Sequence, residues 1–274
     1  MTGTNLLLRF VVLVAGIATV LVPRSSAEEP NRARSILNEA RRLSDGERKW
    51  RDRTQELKLR IIDRRGGERT RELVIKTKKY DNDRTRSIVF FSAPEDVRGV
   101  GMLQWADPKG KDEQWLYLPE LGKVRQISGA AKRESFVGTD FSYEDLAVIT
   151  QILDWDEAEA KADFLRDEAI DGFPCYVLEF TPTGKDISYA KVRAWVDAKD
   201  LVVRKYEMVE KNGQLAKVLL LQDFRSIGRI PTAFHMEMRN ESGGSRTVVD
   251  FTRVAYDAGL ADDEFTQRAL ERGL

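Results

Sequence analysis

From residue 57 onward the apolar residues of this chain recur every second position, and that period holds from segment to segment almost to the end. Leu57, Leu59 and Ile61 alternate with Lys58 and Arg60 before Arg65-Gly66-Gly67 turns the chain. Leu73, Ile75 and Thr77 then alternate with Lys76 and Lys78, and a second polar turn at Asp81-Asn82-Asp83 leads into 88–91. A period of two is the mark of a strand with one face buried, and short polar turns between such runs make hairpins. Further strands are predicted at 100–105, 114–118, 123–127, 158–168, 173–182, 187–197, 201–211, 214–226, 231–240 and 246–256. Asp107-Pro108-Lys109-Gly110 turns the chain between the first two of these, and Asn212-Gly213 is a strong hairpin signal. Helical spacing appears at 29–43, through Ile36, Leu37, Ala40 and Leu43, and again at 144–153 and 262–272. About a dozen consecutive strands with almost no helical crossovers exclude a parallel α/β fold. They leave an antiparallel barrel or a strongly curved open sheet, in one domain because no linker interrupts the pattern.

The N-terminus follows a different logic. One base, Arg9, precedes an apolar run at 10–22, Pro23 breaks it, and Ser25-Ser26-Ala27 offers small residues at a peptidase site. This is the layout of a cleavable secretory signal over residues 1–27. The run is shorter than the ~20 residues that cross a bilayer, which argues against an uncleaved anchor. No cysteine follows it to accept a lipid, so residues 28–274 are expected to be free in an extracytoplasmic compartment. Residues 1–27 carry two bases and no acid, which leaves 43 basic against 45 acidic residues after cleavage. A nearly neutral chain has no electrostatic reason to bind nucleic acid.

Groups for catalysis are scarce. The single histidine, His235, lies in a His-Met-Glu-Met-Arg run, where it shares a solvated or hydrogen-bonded face with Glu237 and Arg239. The single cysteine, Cys175, sits in an apolar stretch and is read as a buried, inert thiol. There is no G-x-S-x-G turn, no His/Cys set for zinc and no phosphate-binding glycine loop, since Gly99-Val-Gly101 lacks both a third glycine and a following helix. Asp140, Glu144 and Asp145 form a small acidic cluster with two readings: a metal or acid–base site, or loop acids and a helix cap. No catalytic residue, metal ligand or cofactor is assigned.

The central strands are more informative. Met102, Leu103, Trp105, Trp115, Leu116, Tyr117 and Leu118 put bulky apolar groups on both faces of neighbouring strands. Such a pattern fits a two-sided core with one face under a helix. It equally fits a concave sheet whose inner face is a cavity for an apolar ligand.

Three blocks carry a resemblance to a known family. They are Phe91-Ser-Ala-Pro-Glu-Asp-Val-Arg-Gly-Val-Gly-Met-Leu103, Trp115-Leu-Tyr-Leu-Pro-Glu-Leu-Gly-Lys-Val-Arg-Gln-Ile127 and Phe136-Val-Gly-Thr-Asp-Phe-Ser-Tyr-Glu-Asp-Leu146. In this order and spacing they resemble the LolA-like outer-membrane lipoprotein-sorting proteins, in particular a longer branch associated with exporters of the resistance–nodulation–division (RND) type. The resemblance implies an unclosed β-barrel wrapped over helices, with an apolar cavity between sheet and helices. It also implies a monomeric periplasmic carrier, without catalysis, for a lipid or acylated protein; the alternative is an accessory subunit docked on an RND-type inner-membrane exporter. Under that resemblance Leu59, Ile75, Phe90, Met102, Trp115, Tyr117, Leu178 and Leu219 are the expected cavity liners. The segment holding Phe136, Asp140, Phe141 and Tyr143 is either a lid or mouth loop, or a buried turn whose acids cap backbone amides.

Overall fold

The computed structural model describes residues 29–273 apart from 82–83, 108–111 and 185–186, with backbone only for 29–31. The secretory signal at 1–27 lies outside the described residues, as do the turn positions at 82–83, 108–110 and 185.

The first six strands are β1 (Asp52–Ile62), β2 (Glu68–Lys79), β3 (Thr85–Ala93), β4 (Gly101–Ala106), β5 (Glu113–Leu118) and β6 (Lys123–Ile127). The next seven are β7 (Ala160–Ile170), β8 (Phe173–Pro182), β9 (Tyr189–Asp197), β10 (Val203–Glu210), β11 (Leu215–Ile227), β12 (Ile230–Asn240) and β13 (Ser245–Tyr256). Each set is an antiparallel meander, and β1 pairs with β13 to weld the two into one 13-stranded sheet ordered β6-β5-β4-β3-β2-β1-β13-β12-β11-β10-β9-β8-β7. β6 and β7 remain as edges, so the sheet curls without closing: a mainly β, LolA-like half-barrel. Register shifts at Glu56/Leu57, Glu72/Leu73, Phe164/Arg166 and Met208/Val209 supply local bends of the kind that help a wide sheet curl. At the β10–β11 turn Gly213 has φ +84°, the left-handed conformation for which its hairpin needs glycine.

Two helices fill the concave side. α1 (Glu29–Asp45) buries Ala33, Ile36 and Leu37, one stripe at helical spacing, and packs against β7. α2 (Tyr143–Gln151) comes from the long β6–β7 connection and buries Tyr143 and Val148. With Phe136, Phe141 and Ile152 they join Leu57, Leu59, Met102, Leu178, Val192, Met208, Leu219 and Met238 in one continuous core.

The convex side has its own cover. A strap through Leu260 and Phe265 into α3 (Gln267–Arg272) lies over Ile88, Phe90, Leu103 and Trp115. The strap and the sheet meet closely at Gly101, where a Cβ would sit 2.7 Å from Leu270 Cδ1. Trp105 Nε1 donates to the Phe265 carbonyl at 3.0 Å, and Lys76 and Lys78 reach Glu264 and Asp262.

Two expectations need adjusting. β1 starts at Asp52, before its apolar alternation does, because its first inward positions are the polar Arg53 and Gln55, which line the open end of the barrel, while Asp52 accepts the Ala258 and Gly259 amides. The helix expected at 262–272 is broken: a 3₁₀ turn at Asp262–Phe265 sends Phe265 into the sheet, and Thr266 then caps α3 by accepting the Ala269 amide at 3.1 Å. Cys175 is buried on the convex side with Val177 and Trp195, and burial pushes its thiol pKa up.

Candidate functional site

The open end of the half-barrel holds a groove of about 320 Å³. Its floor is apolar: Ile149 of α2 and Leu153 just beyond it, Val203 and Tyr206 of β10, Leu221 of β11, and Ala233 and Met236 of β12. Trp50 and Tyr256 form one wall, ring centroids 5.7 Å apart, and the Tyr256 hydroxyl is 3.0 Å from Thr232 Oγ1. The Tyr206 hydroxyl points at the Ile149 carbonyl at 3.5 Å, and burial, assisted by Asp154, drives its pKa far above the ordinary phenol range.

The polar rim is basic. Arg41 donates to the Asp154 carbonyl at 3.1 Å and lies 3.9 Å from its carboxylate. Arg48 donates to the Asp200 carbonyl and stands 3.9 Å from that side chain. Arg53 differs from both. On β1 it shares the inward face with Gln55, Leu57 and Leu59, two residues apart each. Its guanidinium lies 5.0 Å from the centre of the Trp50 ring, and it makes no hydrogen bond or ion pair to any described residue. Its Nε is fully buried.

The other end of α2 is closed by a polar network. Ser142 Oγ accepts the Asp145 amide at 3.1 Å, while the Asp145 carboxylate accepts the Ser142 amide at 2.7 Å, a capping box. Asp145 has no exposed surface and also accepts from Tyr189 Oη at 2.6 Å and from Lys217 Nζ. Glu144 accepts from Ser188, both its amide and its hydroxyl. Burial raises the Glu144 carboxyl pKa, and these two bonds oppose that only in part. The Tyr189 phenol is pushed far up, first by burial and then by Asp145. Asp140 accepts from Thr247 at 2.7 Å and from Ser245. Every carboxylate of the acidic cluster is thus engaged: Glu144 and Asp145 tie α2 to the start of β9 and to β11, and Asp140 ties the turn before α2 to β13. Among the described residues no group of three or more His, Cys, Asp or Glu side chains could hold a metal ion.

The expected liners divide between two faces. Leu59, Met102, Leu178 and Leu219 are in the concave core, and Ile75 packs against it. Phe90, Trp115 and Tyr117 belong to the convex cluster beneath α3, because even positions of β3 and odd positions of β5 point away from the helices. None of the eight borders the groove. Phe136, Asp140, Phe141 and Tyr143 are each less than 9% exposed and lie away from the groove, in a turn whose acids are spent on internal hydrogen bonds. His235 sits half-buried with Nδ1 2.7 Å from Asp250. The groove residues Trp50, Arg53 and Gln55 escape a reading based on apolar alternation. The signal that finds Gln55 and Arg53 is the same period of two, continued backward from Leu57; Trp50 lies before the strand and carries no such signal.

Comparison with known proteins fixes the lineage. A family model described as "Uncharacterized protein" matches residues 83–272. The crystal structure of a DUF1329 family protein from Desulfovibrio piger is 30% identical, with 87% of this chain and 98% of that one covered and a TM-score of 0.79. The chain belongs to the DUF1329 family. A structure described as an outer membrane lipoprotein-sorting protein domain, from Vibrio parahaemolyticus, is 27% identical over 89% of this chain and 100% of that one, TM-score 0.80. A LolA superfamily protein from Nitrosomonas europaea shares the DUF1329 half-barrel at 21% identity, with 86% and 98% covered and a TM-score of 0.64. No curated protein matches the chain. No helix among the described residues is long and apolar enough to cross a membrane.

Proposed function

We propose that this protein is a carrier that holds a hydrophobic molecule, a lipid or the acyl part of a lipidated protein, in the groove at the open end of its half-barrel. The observation that supports this reading most is the groove itself: an apolar floor, an aromatic wall, a basic rim, and a volume at the lower end of the ~300–1,000 Å³ usual for ligand pockets. A carrier is useful because each acyl methylene is worth about 0.8 kcal/mol out of water, so a chain does not cross an aqueous gap unshielded. The likeness to the Vibrio lipoprotein-sorting domain, in sequence as well as fold, supports the same class of role.

In this reading residues 1–27 are a cleaved signal, residues 28–274 act as a single soluble, monomeric periplasmic domain, and the cargo moves between envelope membranes. No covalent step is involved: the acids of the cluster are tied up in structure, and His235 faces Asp250 on the sheet rather than the groove. An RND-type inner-membrane exporter is the partner that would load or unload it. The test is mass spectrometry of an organic extract of the gently purified mature protein, together with uptake of a fluorescent fatty acid. A co-purifying lipid or saturable uptake is expected. If the extract is empty and the probe does not bind, the carrier reading falls, and recovery of a stable complex with the exporter in that case would establish the docking-subunit alternative instead.

A further inference from the structure

Resting on the carrier reading, we infer that the occupant of the groove is a single-chain amphiphile with an anionic head, a carboxylate or a phosphate, held by Arg53. The residues that line the groove include three arginines, Arg41, Arg48 and Arg53, against one acid, Asp154. Arg41 is committed to Asp154 and Arg48 to Asp200. Arg53 is the guanidinium left over: it points from β1 into the groove, its Nε is buried, and it bonds to no described residue. A buried polar donor without a partner costs free energy that an acceptor would return, and guanidinium presents the planar fork that carboxylate and phosphate fit. Trp50 holds it in place by its ring face. Gln55, only 6% exposed and on the same face of β1, stands beside it as a second polar group for the head. The apolar floor then takes the chain, and a groove of about 320 Å³, at the lower end of the range for ligand pockets, suits a single chain.

The experiment is calorimetric titration of the mature protein with four probes below their aggregation limits: dodecanoate, dodecyl phosphate, dodecanol and inorganic phosphate. The two anionic amphiphiles should bind about tenfold or more tightly than dodecanol, the size expected of a charged hydrogen bond, and Arg53→Gln should abolish that preference while leaving dodecanol binding intact. Inorganic phosphate alone should not bind measurably. Equal affinity for dodecanol and dodecanoate would overturn the inference and leave the carrier reading standing. Phosphate binding as tightly as dodecyl phosphate would overturn it in favour of a free anion, and a preference that survives Arg53→Gln would remove Arg53 from the role. No binding of any probe would sink the carrier reading as well. If Arg53→Gln fails to fold by circular dichroism, the wild-type comparison of dodecanoate with dodecanol still decides.

Discussion

At its N-terminal end α2 is held by Ser142, Glu144 and Asp145, whose partners are Ser188, Tyr189 and Lys217; at its C-terminal end, about four residues further on, it borders the groove and the unpaired Arg53. The two ends are equally rich in charge and differ in whether the charge is used. Buried polar groups are ordinarily satisfied, so a network complete within the chain marks architecture, and a buried donor with no partner calls for an explanation, which for Arg53 a ligand in the groove would supply. Acidity alone singles out the other end, since Asp140, Glu144 and Asp145 look more like a site in the sequence than Arg53 does.

That contrast can be broken by unfolding measurements. Asp145→Ala strips Lys217 of its counter-charge in a site where only 16% of the lysine side chain is exposed. It should cost about 3–5 kcal/mol in urea unfolding, the range for breaking a buried pair from one side. Arg53→Met, measured in the same way, should stay within about 1 kcal/mol of wild type, because it loses a stacking contact on Trp50 but also removes an unpartnered donor. Similar losses for the two variants would mean that the groove end is structural too.

A smaller effect sharpens the same comparison. Burial raises the Glu144 pKa in the folded protein above its ordinary value of 4.5. The folded state therefore holds this proton more tightly than the unfolded one, and Glu144 contributes stability that is fully present below pH 4.5 and is lost as pH rises through the folded value. Glu144→Gln should flatten that part of the stability profile between pH 4 and neutrality, checked by urea midpoints at several pH values. An unchanged slope would place the carboxyl in contact with water.

Much of the architecture could be read from turn chemistry and periodicity. Arg65-Gly66-Gly67 and Asn212-Gly213 punctuate hairpins where the strands end, and the stripe of Ile36 and Leu37 gives α1. Which face is concave could not be read there. Val89 and Phe91 face the helices and Ile88 and Phe90 face the α3 strap, yet all four are apolar, so alternation disappears in a strand buried on both sides. The strap that covers the second face comes from the far end of the chain, beyond the reach of local patterns. The groove stayed hidden for the opposite reason: Arg53 and Gln55 are polar at inward positions, and a rule that equates inward with apolar ends the strand before it reaches them.

The central claim, that the groove is where a hydrophobic ligand sits, is tested most directly by tryptophan quenching with a brominated fatty acid. Trp50 lines the groove and Trp155 packs against the concave core just after the groove residues Leu153 and Asp154, whereas Trp105, Trp115 and Trp195 belong to the convex side. Saturable quenching is expected in the wild-type protein and in Trp155→Phe, and most of what remains in Trp155→Phe should vanish when Trp50→Phe is added. Quenching that does not saturate, or that is unchanged when Trp50 is removed, would contradict the assignment.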